Sequence, residues 1–254
     1  MFKKVRQDYI LKMLRSSEQI EIKDLADHFG VSTVTIRRDL REIEETGLIK
    51  RVYGGAVAQD TADAKRQPFF NTRVSDYQEE KAAIAIAAAA YVQEGDVVML
   101  DIGTTCLEVA KQLKHMRGIT ILTTSLPVLF ELADADLDVY SLGGKLRGGE
   151  MALCGSLALQ ALKDFCITKA FIGVGGITLE RGFTDYNRDS ADLCAAVVSR
   201  AEQVFVVSDS SKFGRNTSSV ISGLSSAHTI ITDRQAPEAI VAAIRRSGVE
   251  VVTV

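Results

Sequence analysis

The sequence predicts an α/β chain in two parts: a small helical module closed by a hairpin, then a larger, mostly parallel sheet with helices on both faces. Three observations predict it. Residues 1–57 show helix-period apolar spacing broken by tight turns. From Tyr77 onward, helical stretches alternate with short β-branched runs. Between them, residues 58–76 lack periodicity, carry Asp60, Asp63, Lys65, Arg66 and Pro68, and read as a linker. The expected division is therefore 1–57, 58–76 and 77–254.

In the first module, Val5, Ile10, Leu11 and Leu14 fall at helical spacing. A second short helix, Ile22–Phe29, places Leu25 and Phe29 on one stripe. Gly30-Val31-Ser32 make a turn, and Ser32 is a good N-cap for a third helix running to about Thr46. Ile36, Leu40 and Ile43 give that helix one core-facing stripe, and Gly47 ends it. Leu48–Arg51 and Tyr53–Val57 then read as two short strands about Gly54-Gly55.

Two helices joined by a tight turn, the second opened by a serine cap, have the layout of a helix-turn-helix. At about 100° per residue, Val34, Arg37, Arg38 and Arg41 occupy the arc away from the buried stripe. Such a face suits a major groove, which needs long cationic donors and small groups near the helix start. Ser32, Thr33 and Thr35 supply hydroxyls where phosphate contacts are expected. Lys50, Arg51 and Tyr53 sit on the hairpin, within reach of the adjacent backbone or minor groove. The competing reading is a helical module whose arginines are solvated and paired with Asp39, Glu42, Glu44 and Glu45. The serine cap and the basic hairpin favour DNA.

Charge has to be read on the same local scale. Over 254 residues, 30 Lys+Arg stand against 33 Asp+Glu, a formal net charge of −3 that taken whole argues against nucleic acid. Residues 1–58 alone hold 11 basic and 9 acidic residues, and five of the basic ones lie between positions 37 and 51. An architectural or nonspecific DNA protein would need a far more basic surface.

Composition excludes other classes. Apolar residues at 46% and charged residues at 25% are ordinary for a globular chain. No apolar run approaches the roughly 18–20 residues of a membrane span, and the start of the chain lacks the pattern of a signal peptide. A cytoplasmic location with no membrane partner is expected. Cys106, Cys154, Cys166 and Cys194 are scattered, without a C-x-x-C pair, and are expected to be buried reduced thiols. His28, His115 and His228 are isolated. No metal site and no cofactor is predicted.

In the second module the strand-like runs are Val97–Leu100, Ile119–Thr123, Leu137–Ser141, Ala170–Val174, Val204–Ser208, Thr229–Thr232 and Val249–Val254. The most informative stretch, Asp101-Ile102-Gly103-Thr104-Thr105, follows the first run and precedes a helix starting near Cys106. Small residues there leave backbone N–H groups open, two hydroxyls add donors, and a helix N-terminus favours an anion. Capping by Thr104 would explain the same residues. Polar or glycine residues recur at other strand ends: Thr124 and Ser125, Gly143 and Gly144 followed by Lys145, Gly175, and Asp209 with Lys212. Ligands of open α/β sheets bind outside the carboxyl ends of strands, and Lys212 would neutralise a phosphate.

The run Val31-Ser32-Thr33-Val34-Thr35-Ile36-Arg37-Arg38-Asp39-Leu40, followed by Glu44, Gly47, Arg51 and Gly54-Gly55-Ala56, closely resembles the signature of DeoR-type bacterial transcriptional regulators. The likeness continues through D-x-G-T-T, L-G-G-x-x-R and D-S-S-K-F-G. It implies a winged helix-turn-helix joined to a Rossmann-like sensor domain similar to ribose-5-phosphate isomerase. It also implies a repressor of sugar-catabolism genes. By resemblance, Gly103, Thr104 and Thr105 hold the phosphate of a sugar phosphate, with Asp101 and Lys212 close by and Asp185 among the pocket residues. Two positions depart from the family: its usual T-N-S reads Thr123-Thr124-Ser125, and a basic residue is replaced by Cys194.

The expectation is a ligand-responsive repressor that binds double-stranded operator DNA as a homodimer or homotetramer and is released by a phosphorylated sugar. The alternative is a sugar-phosphate isomerase using the same pocket, with Asp101, Asp185 or Asp209 as base and Lys212 as electrophile.

Overall fold

A computed structural model describes residues 3–16, 19–45, 49–52, 54–58 and 68–254. The chain divides into two compact units, Met1–Arg66 and Gln67–Val254.

The first unit starts with α1 (Lys3–Ser16), β1 (Gln19–Glu21), α2 (Ile22–Phe29) and α3 (Thr33–Glu45), and closes with β2 (Ile49–Val52) and β3 (Gly55–Ala58). Ile10, Leu14, Leu25, Ile36, Leu40, Ile43 and Ile49 form its core. Val5, expected on the same stripe, is 53% exposed because α1 buries only the face that carries Ile10 and Leu14. The wing has three strands where two were expected, in the order β1-β3-β2. β1 crosses Gly55 so closely that a Cβ there would lie 2.1 Å from the Ile20 carbonyl oxygen.

The second unit begins with α4 (Phe70–Arg73), a single helical turn within the stretch read as linker, whose Phe70 is buried. Then follow α5 (Gln78–Ala89), β4 (Val97–Leu100), α6 (Thr104–Leu113), β5 (Thr120–Thr123), α7 (Leu126–Leu132) and β6 (Asp138–Ser141). A short hairpin, β7 (Lys145–Arg147) and β8 (Ala152–Cys154), leads to α8 (Ser156–Ala161) and β9 (Lys169–Ile172). Next come β10 (Gly176–Thr178), β11 (Gly182–Asp185), α9 (Arg188–Val198), β12 (Gln203–Val207) and β13 (Ser219–Ser222). The chain ends with β14 (Thr229–Thr232), α10 (Glu238–Arg246) and β15 (Glu250–Thr253).

The seven runs read as strands form one sheet, in the order β15-β14-β12-β9-β4-β5-β6, parallel at every pairing. Its two faces bury separate cores. Ile84, Val109, Leu113 and Val128 of α5, α6 and α7 pack on one, and Leu193, Val197, Val241 and Ile244 of α9 and α10 on the other. A small antiparallel sheet, β10-β11-β13, adds Ile177, Phe183 and Ile221 to the second core. Among the described residues, no helix is long and apolar enough to cross a membrane.

The order of strands locates the site. From β4 the chain proceeds outward through β5 and β6, then returns to lay β9 on the other side of β4 and proceeds the opposite way. The switch point therefore lies between β4 and β9, where a crevice opens at the carboxyl ends of both strands.

Candidate effector and DNA-reading sites

In the first unit, α2 ends at Gly30 in the left-handed region (φ 63), which carries the chain directly into α3. Ser32 Oγ accepts the Thr35 N–H at 3.3 Å, which is the expected cap, and lies 3.0 Å from Thr35 Oγ1. With Ile36 and Leu40 fully buried, the opposite face of α3 presents Thr33, Val34, Arg37, Arg38 and Arg41 to solvent.

The ion pairs separate the DNA reading from the solvated-face reading. Asp39 is buried and engaged by Arg6 of α1. Glu42 is held by Lys3 at 2.6 Å and Gln7 at 2.8 Å, and Arg38 reaches it only at 3.5 Å. Among the described residues, no ion pair engages Arg37 or Arg41. Asp39, Glu42 and Glu44 thus bind chiefly to groups that hold the module together. Arg51 is partly engaged within the module: its backbone N–H and Nε–H both donate to Glu44, at 2.9 and 2.6 Å, so it braces β2 against α3. The Lys50 side chain and Tyr53 lie outside the described residues.

In the second unit, Asp101 stands at the end of β4, on the switch point. It is buried, and its Oδ2 accepts the N–H of Gly173, just beyond β9, at 3.3 Å. Gly103, with φ 119, is the N-cap of α6 and makes no side-chain cap. The helix therefore starts at Thr104, not near Cys106, and Thr104 is not its cap. Thr104 and Thr105 occupy the first turn, where backbone N–H groups lack intrahelical partners. Both are buried.

The basic groups gather at the same edge. α5 precedes β4 and α6 follows it, and the two helices pack together, which brings the start of α5 to the carboxyl edge of the sheet. Lys81, in the first turn of α5, is buried and donates to the carbonyl oxygens of Arg73, at 2.6 Å, and Asp76. Burial lowers its ammonium to about 8; Asp209 opposes that, and the nearby Lys212 and Arg73 reinforce it. Lys212, half-buried after β12, is lowered chiefly by burial, with Asp209 opposing and Arg215 and Arg73 adding to the shift. Arg73 pairs with the buried Glu150 of the β7–β8 turn. Burial and mutual repulsion thus push both lysines toward neutrality at this edge, while Lys212 lies 3.8 Å from Asp209. Arg73 and Lys81 were not singled out in the sequence: one lay in the expected linker and the other in a charged run that resembles a solvated helix start.

The remaining expected residues divide. Thr124 and Asp185 are both buried, and Asp185 lies close enough to Asp101 to raise its carboxyl. Ser125 caps α7 through its Oγ and is thereby committed. Gly143 and Gly144 turn the chain out of β6 with φ of 72 and 119, and a Cβ on Gly144 would lie 2.4 Å from the Cys154 carbonyl oxygen. Gly175 packs under the Tyr186 ring. Lys145 is exposed on β7. Of the cysteines, Cys106, Cys154 and Cys194 are buried, whereas Cys166 is exposed, in the loop after α8 that packs through Phe165 and Ile167 instead.

A helix-turn-helix with an exposed cationic face, in one chain with an α/β layer whose switch point carries buried charged groups, defines a ligand-sensing DNA-binding regulator. Residues 6–62 match the DeoR-like helix-turn-helix domain, and residues 76–234 match the DeoR C terminal sensor domain. The transcriptional repressor AccR of Agrobacterium fabrum is 35% identical over 90% of this chain and 88% of that protein. The lactose phosphotransferase system repressor of Lactococcus lactis subsp. lactis is 33% identical over 92% of each. The chain belongs to the DeoR family of transcriptional regulators, and it is a regulator rather than an enzyme. Ribose-5-phosphate isomerase A of Methanocaldococcus jannaschii is similar at TM-score 0.42 and 16% identity, over 54% of this chain and 55% of that one, and nothing about activity follows from that likeness.

Proposed function

We propose that this regulator represses genes of sugar uptake or catabolism and is released from its operator by a phosphorylated sugar bound at the β4–β9 switch point. The observation that carries the proposal is the uncapped start of α6 at Gly103, with Thr104 and Thr105 buried in its first turn, on the edge where Lys81 and Lys212 gather. The phosphate would take the open N–H groups and both threonine hydroxyls, with the lysines neutralising its charge. That a relative represses a lactose phosphotransferase system supports sugar as the ligand class.

Arg37, Arg38 and Arg41 would enter the major groove from α3, with Ser32, Thr33 and Thr35 on the phosphates and Lys50 and Tyr53 on the wing. One such helix reads a short half-site, so a homodimer or homotetramer in the cytoplasm is proposed. The effector acts by its differential affinity for the DNA-competent and DNA-incompetent arrangements.

Thr104→Ala combined with Thr105→Ala is expected to abolish thermal stabilisation by hexose phosphates and to leave a repressor that still binds a fragment of its own promoter. Stabilisation that survives the double substitution would move the ligand elsewhere.

A further inference from the structure

The end of β4 carries a feature that phosphate binding leaves unused. Asp101 is buried, and the groups acting on it most strongly are the N–H groups of Ile102 and Gly173, the Asp185 carboxyl and the Cys194 thiol, none of them a cation. Cys194, buried on α9, hydrogen-bonds Asp101 but brings no charge, because burial and the two acids push its thiol far up. Asp185 is buried as well and accepts the Asn187 N–H at 2.8 Å. Two buried carboxyls thus influence each other; Arg147 and Arg73 oppose the burial of Asp185, whereas among the described residues no ion pair engages Asp101.

An independent observation concerns Thr124. β4 and β5 are in register at Leu100 and Thr123, so Asp101 and Thr124 follow as neighbours with their side chains on the same face. Thr124 Oγ1 is wholly buried and has no hydrogen-bond partner. A buried hydroxyl left unpaired is costly, and a polar group of a ligand would satisfy it.

We infer that Asp101, Asp185 and Thr124 receive a protonated amine of the effector, so that the ligand class is an amino sugar phosphate rather than a neutral one. The inference rests on the phosphate being anchored at Gly103–Thr105. An ammonium offers three N–H donors, and the three side chains offer an acceptor each. It also brings a positive charge to Asp101, which a sugar hydroxyl does not; Asp185 already feels Arg147 and Arg73. Cys194 is then a specificity-determining residue, because a basic side chain in its place would neutralise Asp101 from within and repel the amine.

The test uses the full chain at pH 7.5 and calorimetric titration. The probes are glucosamine 6-phosphate and galactosamine 6-phosphate, each beside its 2-hydroxy parent, with inorganic phosphate as a further arm. At least one amino compound is expected to bind tenfold or more tightly than its parent. Asp101→Asn should bring that ratio near one while phosphate-dependent binding persists. Equal binding of each amino sugar and its parent overturns the inference and leaves the phosphate site standing. Failure of every phosphorylated compound to bind, or binding that survives Thr104→Ala with Thr105→Ala, overturns the phosphate reading and the inference with it. The wild-type comparison requires no substitution, so it decides the matter even if Asp101→Asn does not fold.

Discussion

Asp101 Oδ2 and the Gly173 N–H meet at 3.3 Å across the line where the sheet reverses its strand order. This bond ties the end of β4 to the chain leaving β9 and so fixes the width of the crevice at its base. A Cβ on Gly173 would lie 2.7 Å from the Ile102 carbonyl oxygen. Gly173→Ala is therefore expected to push the two strand ends apart and to destabilise the sensor unit by about 1–3 kcal/mol, the usual cost of overpacking. Chemical denaturation followed by circular dichroism measures it. An unchanged midpoint would show that the strand ends yield freely.

Burial, with Asp185 adding to it, pushes the Asp101 carboxyl up to about 7 against the pull of two backbone N–H groups and Cys194. A raised carboxyl favours the protonated fold. Its contribution to stability is complete below the ordinary carboxylate range and is lost as pH rises through about 7. The ligand-free protein should therefore lose stability between about pH 4 and pH 7, at up to about 1.4 kcal/mol per pH unit for one proton. Asp185 and Glu150, both raised chiefly by burial, act in the same direction. Asp101→Asn should flatten the slope without abolishing it. A slope identical to that of the wild type would mean that Asp101 ionises freely.

Arg73 and Glu150 form a buried ion pair that joins α4 to the turn between β7 and β8. Removing one partner leaves the other charge buried, at a typical cost of about 3–5 kcal/mol. Glu150→Ala is expected to cost that much, and Arg73→Ala with Glu150→Ala together less than the sum of the two single changes. A double-mutant cycle on urea midpoints checks it, and strictly additive changes would rule out the pair as a unit.

The sheet was legible because its central strands are buried on both faces and read as apolar β-branched runs, with Val97–Leu100 and Thr229–Thr232 bounded to the residue. The antiparallel strands β10, β11 and β13 were not, since three or four residues such as Gly176–Thr178 carry no period of their own. β1 escaped for the same reason. At the site, Asp101 and the Gly103–Thr105 turn were visible because strand, glycine and hydroxyls are contiguous. Arg73, Lys81 and Glu150 were not, because what distinguishes them is burial among one another across long stretches of chain. The facing of Cys194 on Asp101 depends on how α9 lies over the sheet, and no local pattern carries that.

In α3, Arg37 and Arg41 lack ion pairs among the described residues, while Arg38 lies 3.5 Å from Glu42. Arg37→Ala should weaken binding to a promoter fragment by about 1–3 kcal/mol if it reads a base edge, with relaxed discrimination at one operator position. If it meets a phosphate instead, binding should weaken uniformly across sequences and the salt slope should fall by about one. Arg51→Ala acts differently: because Arg51 braces β2 through Glu44, its loss should lower thermal stability of the first unit along with affinity. Fluorescence anisotropy over a salt series, run on operator and scrambled duplexes, separates these outcomes. Unchanged affinity in the Arg37→Ala and Arg41→Ala variants would remove α3 from the groove, since among the described residues no ion pair engages either of them.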